Sequence, residues 1–332
     1  KLVAASFPGR AFFCNSGLEA MEASIKMARR YQWASGHPER VEVLTFEGAF
    51  HGRSMATLAA TGNAKYLEGF GPKPEGFRQL PTDVEAVKAA IGPATAAILI
   101  EPMQGSAGCI PAEPSFLEAI REACTKHGIV LVFDEVMTSR LAPGGLQEQH
   151  GVIPDMTTLG KYVGGGCSFG AFGGRADIMS LYDPYRADAI AHAGTFNNNA
   201  MTMAAGVAAM TQVYTPARAE ALNTLGDALR HRLNDEASRR NLPVQVTGLG
   251  SMMNVHFRGG RIANSDDASA SSDTARGLFH IEMLERGFHC ARRGMINLSL
   301  PMGQTEIDGL VAAFGDFLDA HARLIRSLPQ VG

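Results

Sequence analysis

At 332 residues, with 45% hydrophobic and 19% charged residues, the chain can bury a large core in one or two globular units. A net charge of −3, a pI near 6.4 and no dense basic run give no electrostatic basis for partnership with nucleic acid or an anionic membrane. No run reaches the roughly eighteen apolar residues of a membrane span, and five scattered cysteines (Cys14, Cys109, Cys124, Cys167, Cys290) without a Cys-x-x-Cys pair disfavour disulfides and zinc. These numbers point to a cytoplasmic α/β protein whose partners are small molecules and itself.

In chain order, Lys1-Leu2-Val3-Ala4-Ala5 has no initiator Met and reads as the tail of a helix. A preceding segment is therefore expected, and any targeting peptide would lie on it. From Phe12 to about residue 200, short β-rich runs alternate with amphipathic stretches, the pattern of a mainly parallel sheet covered by helices. Val41–Phe46, Ala97–Ile100 and Ile129–Phe133 are predicted strands, the last two apolar enough to be buried on both faces. Pro114 to His127 carries Phe116, Leu117, Ile120 and Cys124 at helical spacing, opened by Pro-Ser and closed by Gly128. Beyond Tyr214 the pattern changes to a long helix, strands at Met252–Phe257 and Met295–Leu300, an exposed loop over Gly259–Thr274 and a final helix. That helix has one apolar stripe of Ile307, Leu310, Val311, Phe314, Phe317 and Leu318. The expected organisation is a large domain over 1–213 and a smaller α+β domain over 214–332.

Several motifs carry chemistry. Asn15-Ser16-Gly17-Leu18-Glu19 ends a strand and opens a helix; Ser16 and Glu19 have capping-box spacing, and Gly17 permits close backbone approach. Free amides and the helix dipole there favour an anion such as a phosphate, although most Ser-x-x-Glu starts only cap helices. Phe50-His51-Gly52 follows a strand, where the Phe50 ring could stack on a flat heterocycle; taken alone, Phe50 reads more often as core and His51 as a satisfied hydrogen-bonding residue. Asp134 follows the most apolar strand, where open α/β sheets place ligands, and a buried carboxylate there needs a cationic partner. Lys161, in Thr157-Thr158-Leu159-Gly160-Lys161 before Gly164-Gly165-Gly166, is not placed like a solvated helix-face charge. Together Asp134 and Lys161 suit a Schiff base with an aldehyde cofactor, and pyridoxal 5′-phosphate fits. Its ring nitrogen would pair with Asp134, and Lys161 would carry the aldehyde and move a proton. The glycine run would let the backbone pass close to that cofactor, or is simply a flexible loop. No Gly-x-Gly-x-x-Gly directly follows an early strand, which disfavours a nicotinamide dehydrogenase.

Phe13-Cys14-Asn15-Ser16-Gly17-x-Glu19-Ala20, Phe50-His51-Gly52, Glu101-Pro102, Phe133-Asp134-Glu135-Val136-Met137-Thr138, Pro154-Asp155-x-Thr157-Thr158-Leu159-Gly160-Lys161 and Gly170-Ala171-Phe172-Gly173-Gly174 together resemble the class III aminotransferases over essentially the whole chain. The resemblance implies a fold-type I pyridoxal phosphate enzyme. Its large domain would hold a mainly parallel sheet sandwiched by helices, with a small C-terminal α+β domain. It also implies a homodimer with active sites at the subunit interface. Ser16 and Gly17 would hold the phosphate, Phe50 and Val136 would pack on the two ring faces, Asp134 would pair with the ring nitrogen and Lys161 would form the Schiff base. Thr195, in Gly194-Thr195-Phe196-Asn197-Asn198-Asn199, would reach the neighbouring subunit's phosphate. Leu18 departs from the small or hydroxylated residue common there, so one phosphate hydrogen bond is in doubt.

Within the class, Leu159-Gly160-Lys161-x-x-Gly164-Gly165-Gly166 and the Gly194-Thr195 segment resemble glutamate-1-semialdehyde aminomutase. Met137-Thr138-Ser139-Arg140-Leu141-Ala142-Pro143-Gly144-Gly145, with Gly194-Thr195-Phe196-Asn197-Asn198-Asn199 and Arg293-Gly294 before Leu298-Ser299-Leu300-Pro301, are more similar to aromatic β-amino acid aminotransferases. The expected reaction is transamination of a β-amino acid such as β-phenylalanine with 2-oxoglutarate or pyruvate. Arg293, with Arg140 as a second candidate, would hold the substrate carboxylate. Beside Arg292, Arg293 also reads as a surface charge. The alternatives are the aminomutase and a non-catalytic pyridoxal phosphate protein; no metal is expected.

Overall fold

The strand-like runs assemble into one seven-stranded sheet in the computed structural model, which describes residues 9–328. The expected helix tail at residues 1–5 lies outside the described residues. The strands are β1 (Arg10–Cys14), β2 (Glu42–Phe46), β3 (Phe77–Leu80), β4 (Thr95–Ile100), β5 (Val130–Asp134), β6 (Met156–Gly160) and β7 (Gly170–Gly174). They lie in the order β1-β7-β6-β5-β4-β2-β3. All neighbours pair in parallel except β7, which runs antiparallel to both β1 and β6.

Successive residues of a strand point to opposite faces, and the core divides accordingly. Val130 and Val132 join Val43, Ala97 and Leu99 in one buried cluster with Met21, Ile25 and Ala28 of helix α1 (Gly17–Ala34). Leu131 and Phe133 join Leu44, Phe46, Ile98 and Ile100 in a second, with Phe116, Leu117, Ile120 and Cys124 of helix α2 (Pro114–His127). Burial on both faces is why β4 and β5 are almost uninterrupted apolar runs. Helix α2 has its predicted bounds because Pro114 suits a first turn and Gly128, at φ +65°, takes the left-handed closing position.

The shared direction of β1, β2, β4, β5 and β6 brings their carboxyl ends to one edge, where open α/β sheets bind ligands. The residues at or just beyond those ends are Asn15 to Gly17, Phe50 to Arg53, Glu101, Asp134 and Lys161.

The chain divides into two compact units. One comprises the chain up to Pro102 with Ala112–Pro216; the other comprises Met103–Pro111 with the chain from Ala217 onward. The stretch Met103–Pro111, which falls within the 1–213 expected for the large domain, therefore groups with the second unit. That unit has an antiparallel sheet of β8 (Val244–Leu249), β9 (Met252–Phe257) and β10 (Met295–Asn297), with helices α3 (Pro216–Arg239), α4 (Asp273–Glu285) and α5 (Gln304–Arg326). All six predicted stripe residues of α5 are buried, and Phe257, Phe279, Phe314 and Phe317 pack with ring centres 5.4–5.9 Å apart. Two expectations change here. The strand expected over Met295–Leu300 ends at Asn297. The loop expected over Gly259–Thr274 contains a short helix, Ser265–Ser269, and the first two residues of α4. The short helix rests on polar caps: Asn264 accepts the Asp267 amide at 2.9 Å, and Asp266 and Asp267 sit in its first turn. No described helix is long and apolar enough to cross a membrane.

Gly170, opposite Cys14 in the β1–β7 ladder, has no room for a side chain, since an added Cβ would lie 2.0 Å from the Ser16 carbonyl oxygen. Gly170→Ala is expected to destabilise the first unit by about 1–3 kcal/mol, the usual cost of overpacking. Urea unfolding measures it, and an unchanged midpoint would mean that this corner has slack.

Candidate active site

The strand ends open on a cavity of about 400 Å³ lined by Gly17, Leu18, Met21, Phe50, His51, Gly52, Arg53, Glu101, Asp134, Val136, Met137 and Lys161. That is within the roughly 300–1,000 Å³ usual for small-molecule sites.

Asp134, the last residue of β5, is buried. Its Oδ2 lies 2.9 Å from His51 Nδ1, and because a carboxylate oxygen accepts, that ring nitrogen carries the hydrogen. Its Oδ1 accepts from the Val136 amide at 3.1 Å and the Thr158 hydroxyl at 3.3 Å. An unpartnered buried carboxylate would cost several kcal/mol, and these three bonds offset much of that. His51 is itself fixed by its amide on Thr61 Oγ1 at 3.1 Å.

Lys161 follows β6 immediately, with an exposed side chain that lines the cavity. Its backbone is left-handed, φ +53°, which costs a non-glycine residue about 1–2 kcal/mol. Strain of this kind concentrates at functional sites.

At the start of α1, Ser16 is the N-cap and its Oγ accepts from the Glu19 amide at 3.2 Å. The return bond is displaced by one residue from the expected capping box, since Glu19 Oε2 accepts from the Asn15 amide at 2.6 Å. The Gly17 and Leu18 amides precede the first intrahelical bonds and are available to an anion. Gly17 is also required by packing, because an added Cβ would lie 2.8 Å from Val136 Cγ1. Phe50 is held by its amide on Glu101 Oε2 at 2.8 Å and by edge-on packing against Tyr66, ring centres 5.5 Å apart.

Five of the expected site residues, Gly17, Phe50, Asp134, Val136 and Lys161, line this cavity, with Ser16 next to it in sequence. Others do not. Thr195 is exposed on a loop that Asn197 ties to α1's start, through Asn15 Nδ2 on Asn197 Oδ1 at 3.0 Å. Arg140 sits in the one-turn helix Thr138–Leu141, its carbonyl accepting from the Tyr214 hydroxyl at 2.7 Å. Arg293 belongs to the second unit and is exposed, with Nη2 2.9 Å from Met295 Sδ. The glycine run is also corrected: an added Cβ would meet Phe169 Cβ at 2.5 Å from Gly164 and the Ala205 carbonyl at 2.3 Å from Gly165. Those two glycines admit close packing within the protein and do not line the cavity.

A carboxylate, an amine, an aromatic and an aliphatic wall, and a helix start for an anion are what the ring nitrogen, aldehyde, ring and phosphate of pyridoxal phosphate need. The residues present fit that group. The model of the family "Aminotransferase class-III" matches residues 1–292. The chain belongs to the class III aminotransferases. It is a pyridoxal phosphate-dependent transaminase of fold type I. The β-phenylalanine transaminase of Variovorax paradoxus is 44% identical over 94% of this chain and 70% of its own length. A solved structure of a β-phenylalanine aminotransferase from Variovorax paradoxus matches with a TM-score of 0.87 at 43% identity, covering 100% of this chain and 74% of that one. A glutamate-1-semialdehyde 2,1-aminomutase of Sorangium cellulosum is 39% identical over 83% of this chain and 64% of its own length.

Two residues of this class III aminotransferase went unread in its sequence. Arg53 lines the cavity, its guanidinium 5.8 Å from the Phe50 ring centre and 5.4 Å from that of Tyr66; its only signal was following Phe50-His51-Gly52. Glu135, fully buried, accepts from the Thr138 hydroxyl (2.7 Å), the Leu146 amide (3.0 Å) and the Gln147 amide (2.8 Å). Its signal was Gly145, at φ +80°, where an added Cβ would lie 2.6 Å from Glu135 Oε1. Burial, with the neighbouring Asp134 charge adding to it, pushes the Glu135 carboxyl up to about 7 against the three hydrogen bonds. A carboxyl raised on folding contributes stability that is full below its ordinary value, near 4.5, and lost as pH rises to about 7. Between pH 5 and 7.5 the protein is therefore expected to lose, relative to Glu135→Gln, on the order of 2–3 kcal/mol in chemical denaturation. Parallel pH profiles for the two proteins would contradict it.

Proposed function

We propose that the protein transfers the amino group of a β-amino acid such as β-phenylalanine to a 2-oxo acid such as 2-oxoglutarate or pyruvate, as a homodimer in the cytoplasm. The observation that carries this reading is the convergence of Lys161 and Asp134 on one cavity in a chain 44% identical to a β-phenylalanine transaminase. When bound, pyridoxal phosphate supplies an aldehyde carbon that takes up amines and a ring that accepts negative charge.

The chain's own groups divide the remaining work. Lys161 Nζ would hold the cofactor's aldehyde carbon, and its amine would hold and deliver a proton. Asp134, oriented by His51, holds the positive charge of the ring nitrogen. The start of α1 at Ser16 and Gly17 takes the phosphate, while Phe50 and Val136 confine the ring. Arg293 and Arg140 remain the carboxylate holders favoured by resemblance. The cavity itself favours Arg53, the guanidinium in its lining. Exposed apolar side chains around Thr195, namely Phe196, Met201 and Val207, support a partner subunit over this loop, with Thr195 reaching that partner's phosphate. All five cysteines are free thiols, as a reducing cytoplasm would keep them.

The second reading, the aminomutase, rests on the glycine-flanked Lys161 motif and the 39% identity to one. Purified protein supplied with β-phenylalanine and 2-oxoglutarate is expected to form glutamate, and glutamate-1-semialdehyde alone is expected to remain unchanged. Lys161→Ala should lower turnover by at least roughly 10²–10⁴-fold, the range of a lost acid–base group. Turnover of the semialdehyde only would favour the aminomutase, and unimpaired Lys161→Ala would remove the role given to Lys161.

A further inference from the structure

The chemistry above makes no use of Glu135, a fully buried carboxyl next to Asp134 that holds three hydrogen bonds from the segment lining the cavity's edge. We propose that Glu135 is a positioning residue that holds the segment 136–147 in the shape needed to form the Val136–Met137 wall of the cofactor cavity. The inference rests on the cavity being the cofactor site, the reading given above.

The geometry is that of a clamp. The segment leaves the sheet after Asp134, makes the one-turn helix Thr138–Leu141 and enters a short helix, Leu146–His150, whose first residues lie back against Glu135. Glu135 grips both ends of this excursion: Oε2 accepts from the Thr138 hydroxyl and the Leu146 amide, and Oε1 accepts from the Gln147 amide. Its own carbonyl accepts from the Ser139 amide at 3.1 Å. Gly145 passes so close to the carboxylate that no side chain fits between them. Two tyrosines hold the middle of the segment, the Tyr162 hydroxyl on the Ser139 carbonyl at 3.0 Å and the Tyr214 hydroxyl on the Arg140 carbonyl at 2.7 Å. Tyr162 directly follows Lys161, so the clamped segment and the lysine turn are fastened to each other. Removing the carboxylate would strand two buried amides, and the segment would have to open to find them partners.

The test uses the holoenzyme and its apo form at pH 8, comparing Glu135→Leu and Glu135→Gln with the parent. Glu135→Leu is expected to accelerate amide hydrogen exchange in peptides spanning 136–147 about tenfold or more, leaving β4 and α2 protected. Its pyridoxal phosphate dissociation constant, from absorbance titration of apoprotein, should rise about tenfold, which is about 1.4 kcal/mol. Glu135→Gln, which keeps one acceptor oxygen, should fall between the two. Unchanged exchange in 136–147, unchanged cofactor affinity, or equal loss of protection across β4 and α2 would each overturn the proposal. Neither readout requires an amino donor, so a wrong substrate assignment would leave the test intact. Loss of cofactor binding in the parent itself would instead refute the cavity reading.

Discussion

The site depends on keeping a carboxylate at the buried end of β5. Asp134 is acceptable there only because His51, Thr158 and the Val136 amide donate to it, and each donor imposes a constraint of its own. His51 must leave β2 at a fixed point, which places Phe50 beside it. Thr158 must lie opposite Asp134 in the β5–β6 ladder, which places Lys161 three residues further on. The Val136 amide must turn back onto Asp134, which aims Val136 at the start of α1 and makes glycine the fitting residue at position 17. One ion thus sets the relative positions of groups drawn from β2, β5, β6 and α1.

The same logic explains why the neighbourhood is rich in glycine without being loose. Gly17 abuts Val136, Gly145 abuts the Glu135 carboxylate, Gly165 abuts Ala205, and Gly170 abuts the backbone of Ser16. Each is a close approach within the protein that a side chain would block. The local strain visible at Lys161, left-handed without being glycine, is tolerated because β6 and the close-packed turn after it determine its backbone.

Much of this was legible in the sequence where a local rule and the tertiary structure agree. Strands β4 and β5 announce themselves because both their faces are buried, and α2 because Pro114 and Gly128 mark its ends. Strand β7 was quoted as a motif yet not read as a strand: three of its five residues are glycine, and steric need opposite Ser16 and Asp155 replaces β-propensity there. Edge strand β3 is too short to show a period. The short Ser265–Ser269 helix depends on caps, which periodicity does not see. In the site, Gly17, Phe50, Asp134, Val136 and Lys161 line one cavity because strand ends converge in this architecture, a placement that local patterning marks for Asp134 and Lys161 and the resemblance adds for the others. Glu135 was hidden by its neighbour, since adjacent acids look alike in sequence and only packing separates one facing a ligand cavity from one serving as an internal clamp.

The central claim is that Lys161 Nζ carries the cofactor in the cavity floored by Asp134. Borohydride reduction of the holoenzyme followed by peptide mass spectrometry tests it most directly. The account predicts one phosphopyridoxyl group per chain, on the peptide containing Lys161. Its attachment to a different lysine, or its absence from a protein that still transaminates, would contradict the account.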